Sequence, residues 1–331
     1  MNWRRFGWAL SLIILAGMVV FVARRSESRQ FAEIIRQAKP NWLFAAFVLQ
    51  LGTYVSSAMV LKLGLKRSQS DVPLHSLLPL GFMKLAADQL LPTGGVTGTV
   101  LVVHALEKRH IRVSTSTAAV VVGLLGYHAA NAFSILIALC ILWVRGDLHK
   151  GVLLPVSIVC LAIGTIPVVL IWLARGGARK MRGWVRRLPG VRHLLDAIAS
   201  APKATLEDGR LFAYDALLQF SIIALDAATL FVLFLSLGQV VDAKTVFAAF
   251  VLASLAGAIS LLPGGVGPFE AGSVAVFGWL GVPFALAFAG TLLYRAFTLW
   301  LPMAPGLLLA RRELAKETPK HRVPSESHPR S

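Results

Sequence analysis

The sequence predicts an all-α polytopic membrane protein, with six full spans and two broken, re-entrant helical hairpins related as an inverted repeat. Three observations carry that reading. Hydrophobic residues make up 56% of the 331-residue chain against 15% charged, and several apolar runs approach the roughly 20 residues that a helix needs to cross a bilayer. Two apolar stretches are interrupted by matching strings, Leu90-Leu91-Pro92-Thr93-Gly94-Gly95-Val96-Thr97-Gly98 and Leu261-Leu262-Pro263-Gly264-Gly265-Val266-Gly267. Lys and Arg gather between the runs and at the ends, not inside them. A soluble fold is excluded, and a single transmembrane domain over residues 1–312 leaves only a short polar tail, 313–331, which reads as disordered and cytoplasmic.

The first apolar run, Phe6 to Val22, follows Arg4 and Arg5 and has no small-residue cleavage site after it, so it reads as an uncleaved span. Ser26 to Lys39 is charged and mixed, with Phe31, Ile34 and Ile35 at helical spacing, as suits a segment on the membrane surface. The second span runs from Trp42 to Leu61. Leu74 to Leu91 and Val96 to Leu106 are short arms on either side of the first break. Ala118 to Val144, Val152 to Ala174 and Leu211 to Leu237 are full spans. Thr245 to Leu262 and Pro268 to Leu280 flank the second break, and Pro283 to Ala310 forms the last span, bent by Pro302 and Pro305.

Orientation follows from the basic residues. Arg175 to Arg210 holds nine Lys and Arg, and the tail after Ala310 holds six, so both are expected on the cytoplasmic side, as is the N-terminus. Parity then opens the first hairpin to the cytoplasm and the second to the outer face. The result is two units, about 42–144 and 211–310, inverted across the membrane with their tips near the midplane, the general architecture of alternating access. The loop from Arg24 to Lys39 opposes this scheme, since it falls outside and carries five basic residues.

The net charge of +17 would suggest nucleic acid in a soluble chain. Beside apolar spans it points to anionic lipid headgroups and topology control, and no nucleic-acid partner is expected. The string Arg179-Lys180-Met181-Arg182-Gly183-Trp184-Val185-Arg186-Arg187 suits the anionic inner leaflet. Cys140 and Cys160 lie inside apolar segments and read as packing residues. No HExxH, CxxC, Walker-type or nucleophile-elbow string occurs, so neither metal, cofactor nor enzymatic activity is expected.

The breaks are the candidate binding region. Pro92, Gly94 and Gly95, and likewise Pro263, Gly264, Gly265 and Gly267, interrupt helices at membrane depth. Helices restarting at Gly94 and Gly264 would turn unpaired N–H groups and positive dipole ends toward a phosphate or carboxylate. Structural kinks are the competing reading.

Charged groups in the spans are the next candidates, since each costs about 2.5–3.5 kcal/mol at a helix centre. Glu270 and Arg295 either pair across the bundle or leave Arg295 to hold a lipid phosphate; cost favours pairing. Asp88 and Gln89 precede the first break and are candidates for charge balance or a coupling proton. Asp215, Gln219 and Asp226 share one helical face that suits a polar cavity, although Asp215 also suits a solvated helix end. His128, with Tyr127 and Asn131, is either a proton relay or a packing residue, and His104 is weaker.

The strings Leu262-Pro263-Gly264-Gly265-Val266-Gly267-Pro268-Phe269-Glu270 and Leu293-Tyr294-Arg295, with Leu91-Pro92-Thr93-Gly94-Gly95, resemble the transmembrane region of lysylphosphatidylglycerol synthases. That region also occurs alone in flippase-like membrane proteins, including hopanoid-associated members. The resemblance runs from Trp3 to about Arg312. It implies a lipid flippase of the bacterial inner membrane that moves an anionic or aminoacylated phospholipid, or a related envelope lipid, between leaflets. Only 21 residues follow Ala310, so the soluble aminoacyl transferase domain, and with it synthase activity, is expected to be absent. Two other readings stay open: a small-solute transporter of inverted-repeat type, and a non-transporting accessory protein partnering enzymes of envelope-lipid synthesis.

Overall fold

The computed structural model describes residues 33, 36–66, 72–90, 96–146, 208–260, 262–302, 305–306 and 308–309, and these are helical with short connections. The chain order is α1 (Pro40–Lys66), α2 (Leu74–Leu90), α3 (Val96–Glu107), α4 (Val113–Arg145), α5 (Gly209–Ser236), α6 (Ala243–Ile259), a 3-10 turn (Pro263–Gly265), α7 (Pro268–Trp279) and α8 (Phe284–Arg295), the last running into a π-turn (Ala296–Trp300). The expected spans Phe6 to Val22 and Val152 to Ala174, the basic loop up to residue 207, the first break at 91–95 and the tail 313–331 lie outside the described residues.

Helix ends follow from local chemistry. Asp208 caps α5 by accepting from the Arg210 and Leu211 N–H groups at 3.0 and 3.1 Å, and Asp242 caps α6 through the Thr245 N–H at 3.1 Å. Gly146, at φ 76°, ends α4 in the left-handed region. Helix α4 begins at Val113, earlier than the expected Ala118, because Thr115, Ser116 and Thr117 continue the helix as buried residues. Hydropathy alone does not register such a polar first turn. The last span also departs from an uninterrupted helix: after Arg295 the ladder widens, and Leu301 N–H bonds the Ala296 carbonyl five residues back. Pro302 follows directly and has no N–H to return the ladder to α geometry at that turn.

Among the described residues, α1, α4 and α5 are long and apolar enough to cross a membrane, while α2, α6 and α8 are shorter apolar helices. Helix α1 opposes α5 in direction, since Lys39 N–H bonds the Ser236 carbonyl at 2.8 Å near one end and Ser56 meets Ser221 at 3.5 Å further along. Helices α4 and α5 run alongside in the same sense, with Gly126 against Asp215 and the Phe133 and Phe220 rings 5.3 Å apart.

Close approach depends on small residues, as is usual where helices associate without a hydrophobic driving force. A Cβ on Gly64 would stand 2.6 Å from Ala119 Cβ, and one on Gly81 would stand 2.8 Å from the Ala58 nitrogen. One buried cluster joins α1, α2, α3 and the start of α4, around Leu61, Leu77, Met83 and Leu106. A second joins α5 to α8 with the end of α4, around Phe234, Phe277 and Phe288. Phe44, Val48, Leu51, Val55 and Met59 are exposed along one side of α1, an apolar stripe fitted to lipid.

Candidate functional site

The second break is a built turn. Helix α6 stops at Ile259, the Ser260 hydroxyl bonds the Gly257 carbonyl at 2.6 Å and accepts from the Leu262 N–H at 3.3 Å. Gly264, Gly265 and Gly267 then take φ values of 64°, 59° and 97°, a region that costs a side-chain-bearing residue roughly 1–2 kcal/mol. At Gly265 space matters too, because a Cβ there would stand 3.0 Å from Gly257 Cα.

The following helix restarts at Pro268, with Gly267 as its N-cap, and not at Gly264 as expected. Pro268 sets the first helical φ and removes an N–H that would have had no intrahelical partner. Glu270 then makes the one half of a capping box that a glycine N-cap allows, accepting the Gly267 N–H on Oε2 at 2.6 Å. The anion at the positive end of α7 is therefore a side chain of the protein itself.

Arg295, at the end of α8, holds this turn from the other side. Its Nε donates to Glu270 Oε1 at 2.6 Å and its Nη2 to the Gly264 carbonyl. Its guanidinium sits 4.5 Å from the Phe269 ring centroid, and Phe269 stacks on Tyr294. Glu270 is 2% and Arg295 5% exposed. Removing either partner leaves the other charge buried and uncompensated. The Ser273 and Thr291 hydroxyls, 2.8 Å apart, add a second link between α7 and α8.

A second polar cluster adjoins the first. Asp226 on α5 faces Thr53 on α1 at 3.4 Å, and the Gln50 amide faces both Asp226 and the Tyr54 hydroxyl. Tyr294 lies within electrostatic reach of Asp226 and Arg295 alike. Gln50, Thr53 and Tyr54 escape sequence reading because they are neutral residues in an otherwise apolar span. Their signal is a spacing of three and four residues, which puts all three on one side of α1.

The remaining candidates separate. Pro92, Gly94 and Gly95 lie outside the described residues, and Asp88 and Gln89 are described only as backbone in the last turn of α2. Helix α2 does pack against the Pro263–Gly265 turn, so the arm leading into the first break touches the second. Gln219 bonds the Gly123 carbonyl at 2.9 Å and ties α5 to α4. Asp215 is 1% exposed, so it is not a solvated helix end, and its Oδ2 has no hydrogen-bond partner among the described residues. Asn131 donates to the Tyr127 carbonyl at 2.9 Å, and the His128 ring meets Tyr127 edge-on, which ties that patch to its own helix. His104 faces Glu107, both partly exposed, at 3.9 Å. Among the described residues no three His, Cys, Asp or Glu side chains gather as a metal site.

Residues 8–306 match the family described as the lysylphosphatidylglycerol synthase TM region. The chain is also 22% identical over 318 residues to a UPF0104 membrane protein of Methanothermobacter thermautotrophicus, covering 90% of this chain and 92% of that protein. The match takes in both breaks and the Glu270–Arg295 pair. This membrane protein therefore belongs to the lysylphosphatidylglycerol synthase TM region family.

Proposed function

We propose that the chain is a lipid flippase that moves a phospholipid with an anionic or aminoacylated headgroup between leaflets, with the second break as its headgroup-binding region. The observation that carries the reading is the buried Arg295–Glu270 pair on a turn of three left-handed glycines. A lipid phosphate and a carboxylate are interchangeable partners for a guanidinium. Glu270 thus holds Arg295 and the α7 N-terminus when no lipid is bound, and a phosphate displaces it on loading. Gly264, Gly265 and Gly267 let a headgroup approach the backbone with no Cβ in the way.

On this reading the two units rock about the breaks as an inverted repeat, with both termini cytoplasmic and the chain in a bacterial inner membrane. The protein has no catalytic step of its own. Its partners are membrane lipids and the enzymes of envelope-lipid synthesis that supply or take them. The family supports this choice of cargo, since its description refers to the membrane region of a synthase that makes an aminoacylated phospholipid.

Thermal unfolding of the purified chain with short-chain phosphatidylglycerol or phosphatidylcholine tests the binding step. The anionic lipid is expected to raise the midpoint in wild type and to lose that effect in Arg295→Lys. An equal shift by both lipids counts against the proposal.

A further inference from the structure

Asp226 lies well inside α5, a helix long and apolar enough to span the membrane. A bare carboxylate at such depth is costly unless something compensates it. Arg295 is engaged by Glu270, and among the described residues no Lys, Arg or His forms an ion pair with Asp226.

The polar groups that face it, the Thr53 hydroxyl and the Gln50 amide, are neutral. The Thr53 hydroxyl is 3.4 Å from Asp226 Oδ1 and also 3.4 Å from the Leu49 carbonyl. One proton serves two acceptors there, each well beyond the usual O–H···O separation of about 2.7–2.8 Å. Next to it, Gln50 is 5% exposed and its Oε1 is buried with no hydrogen-bond partner among the described residues. Among the described residues the carboxylate and this orphaned amide oxygen thus have no formal positive charge between them.

We propose that Asp226, Thr53 and Gln50 form a sodium-ion site, and that its occupancy drives lipid movement. Two oxygens bound at right angles to one ion at about 2.4 Å, a distance within the range of hard-cation–oxygen bonds, stand about 3.4 Å apart. The spacings at Thr53 match that figure. A single carboxylate among neutral oxygens balances one positive charge, whereas calcium takes six to eight oxygens and commonly several carboxylates. Asp226 itself is half-buried.

Tyr294 links the site to the clasp. It lies within electrostatic reach of Asp226 on one side and neighbours Arg295 on the other, with its ring stacked on Phe269 beneath the guanidinium. Charge neutralised at Asp226 therefore changes the field at the Arg295–Glu270 pair. This coupling rests on the flippase reading, and the binding site does not.

The test is equilibrium binding of radioactive sodium to the full chain in detergent. Saturable binding is expected in wild type, weakened about tenfold or more in Asp226→Asn and in Thr53→Val, and kept in Gly278→Ala, where an added Cβ meets nothing within 4 Å. Gel filtration and thermal unfolding establish that each variant is folded. No saturable binding by folded wild type, including the case of a site that takes only a proton, overturns the proposal, as does unchanged binding in folded Asp226→Asn. In liposomes, lipid redistribution is expected to quicken with a sodium gradient over a choline control. Redistribution equal in both overturns the coupling. No redistribution in either overturns the flippase reading and leaves the measured sodium site standing.

Discussion

Arg295 Nε and Glu270 Oε1 stand 2.6 Å apart, joining the end of α8 to the first turn of α7. The same guanidinium bonds the Gly264 carbonyl, and the same carboxylate bonds the Gly267 N–H. One ion pair thus fixes both ends of the break. Arg295→Ala is expected to lower stability by about 3–5 kcal/mol, because Glu270 is left charged and buried. The double variant Glu270→Gln with Arg295→Gln should lose less than the sum of the two single changes, a coupling that a double-mutant cycle in thermal unfolding reads directly.

Gly267 sits at φ 97° and ψ −70° as the N-cap of α7. Gly267→Ala is expected to cost about 1–3 kcal/mol from backbone strain. The Glu270 bond to its N–H does not relieve it. Unfolding in detergent measures this, and a loss under about 0.5 kcal/mol would mean that the turn relaxes into another conformation.

Gly64 on α1 packs directly against α4, with a Cβ there only 2.7 Å from Ala119 Cα. Backbone cannot give way as the end of a flexible side chain does. Gly64→Ala should therefore destabilise by about 1–3 kcal/mol, whereas Gly278→Ala, which meets nothing within 4 Å, should lie within about 0.5 kcal/mol of wild type.

Cys140 is exposed on α4 along the same outward stripe as Phe133, Leu136 and Trp143. In a Cys160→Ser background, a lipid-soluble maleimide is expected to label it in membranes and a charged, water-soluble one is not. Equal labelling by both would place that face against water.

Much of the helical layout is legible in the sequence. Both short arms of the second hairpin, the position of its break and the Glu270–Arg295 pairing follow from Pro, Gly and charge within apolar runs. The restart at Pro268 is missed because the glycines alone suggest a helix N-terminus at Gly264. The decisive signal is Pro268 at the first helical position, with Glu270 three positions after Gly267 to take the N-cap N–H. Gln50 and Thr53 are missed for a different reason. A neutral polar residue in a span carries little cost that composition can register, and its role emerges only once α1 and α5 lie side by side. The π-turn after Arg295 is foreshadowed by Pro302, but no residue in the sequence marks its start at Ala296.

The most direct measurement is the redistribution of headgroup-labelled phosphatidylglycerol, lysylphosphatidylglycerol and phosphatidylcholine in proteoliposomes containing wild type, Arg295→Lys or Glu270→Gln. Faster movement of the anionic lipid than of the zwitterionic one is expected, slowed about tenfold or more in Arg295→Lys, a loss of at least 1.4 kcal/mol by the usual conversion. Folded wild-type protein that leaves every lipid tested, anionic and aminoacylated, at the rate of empty liposomes would contradict the flippase reading.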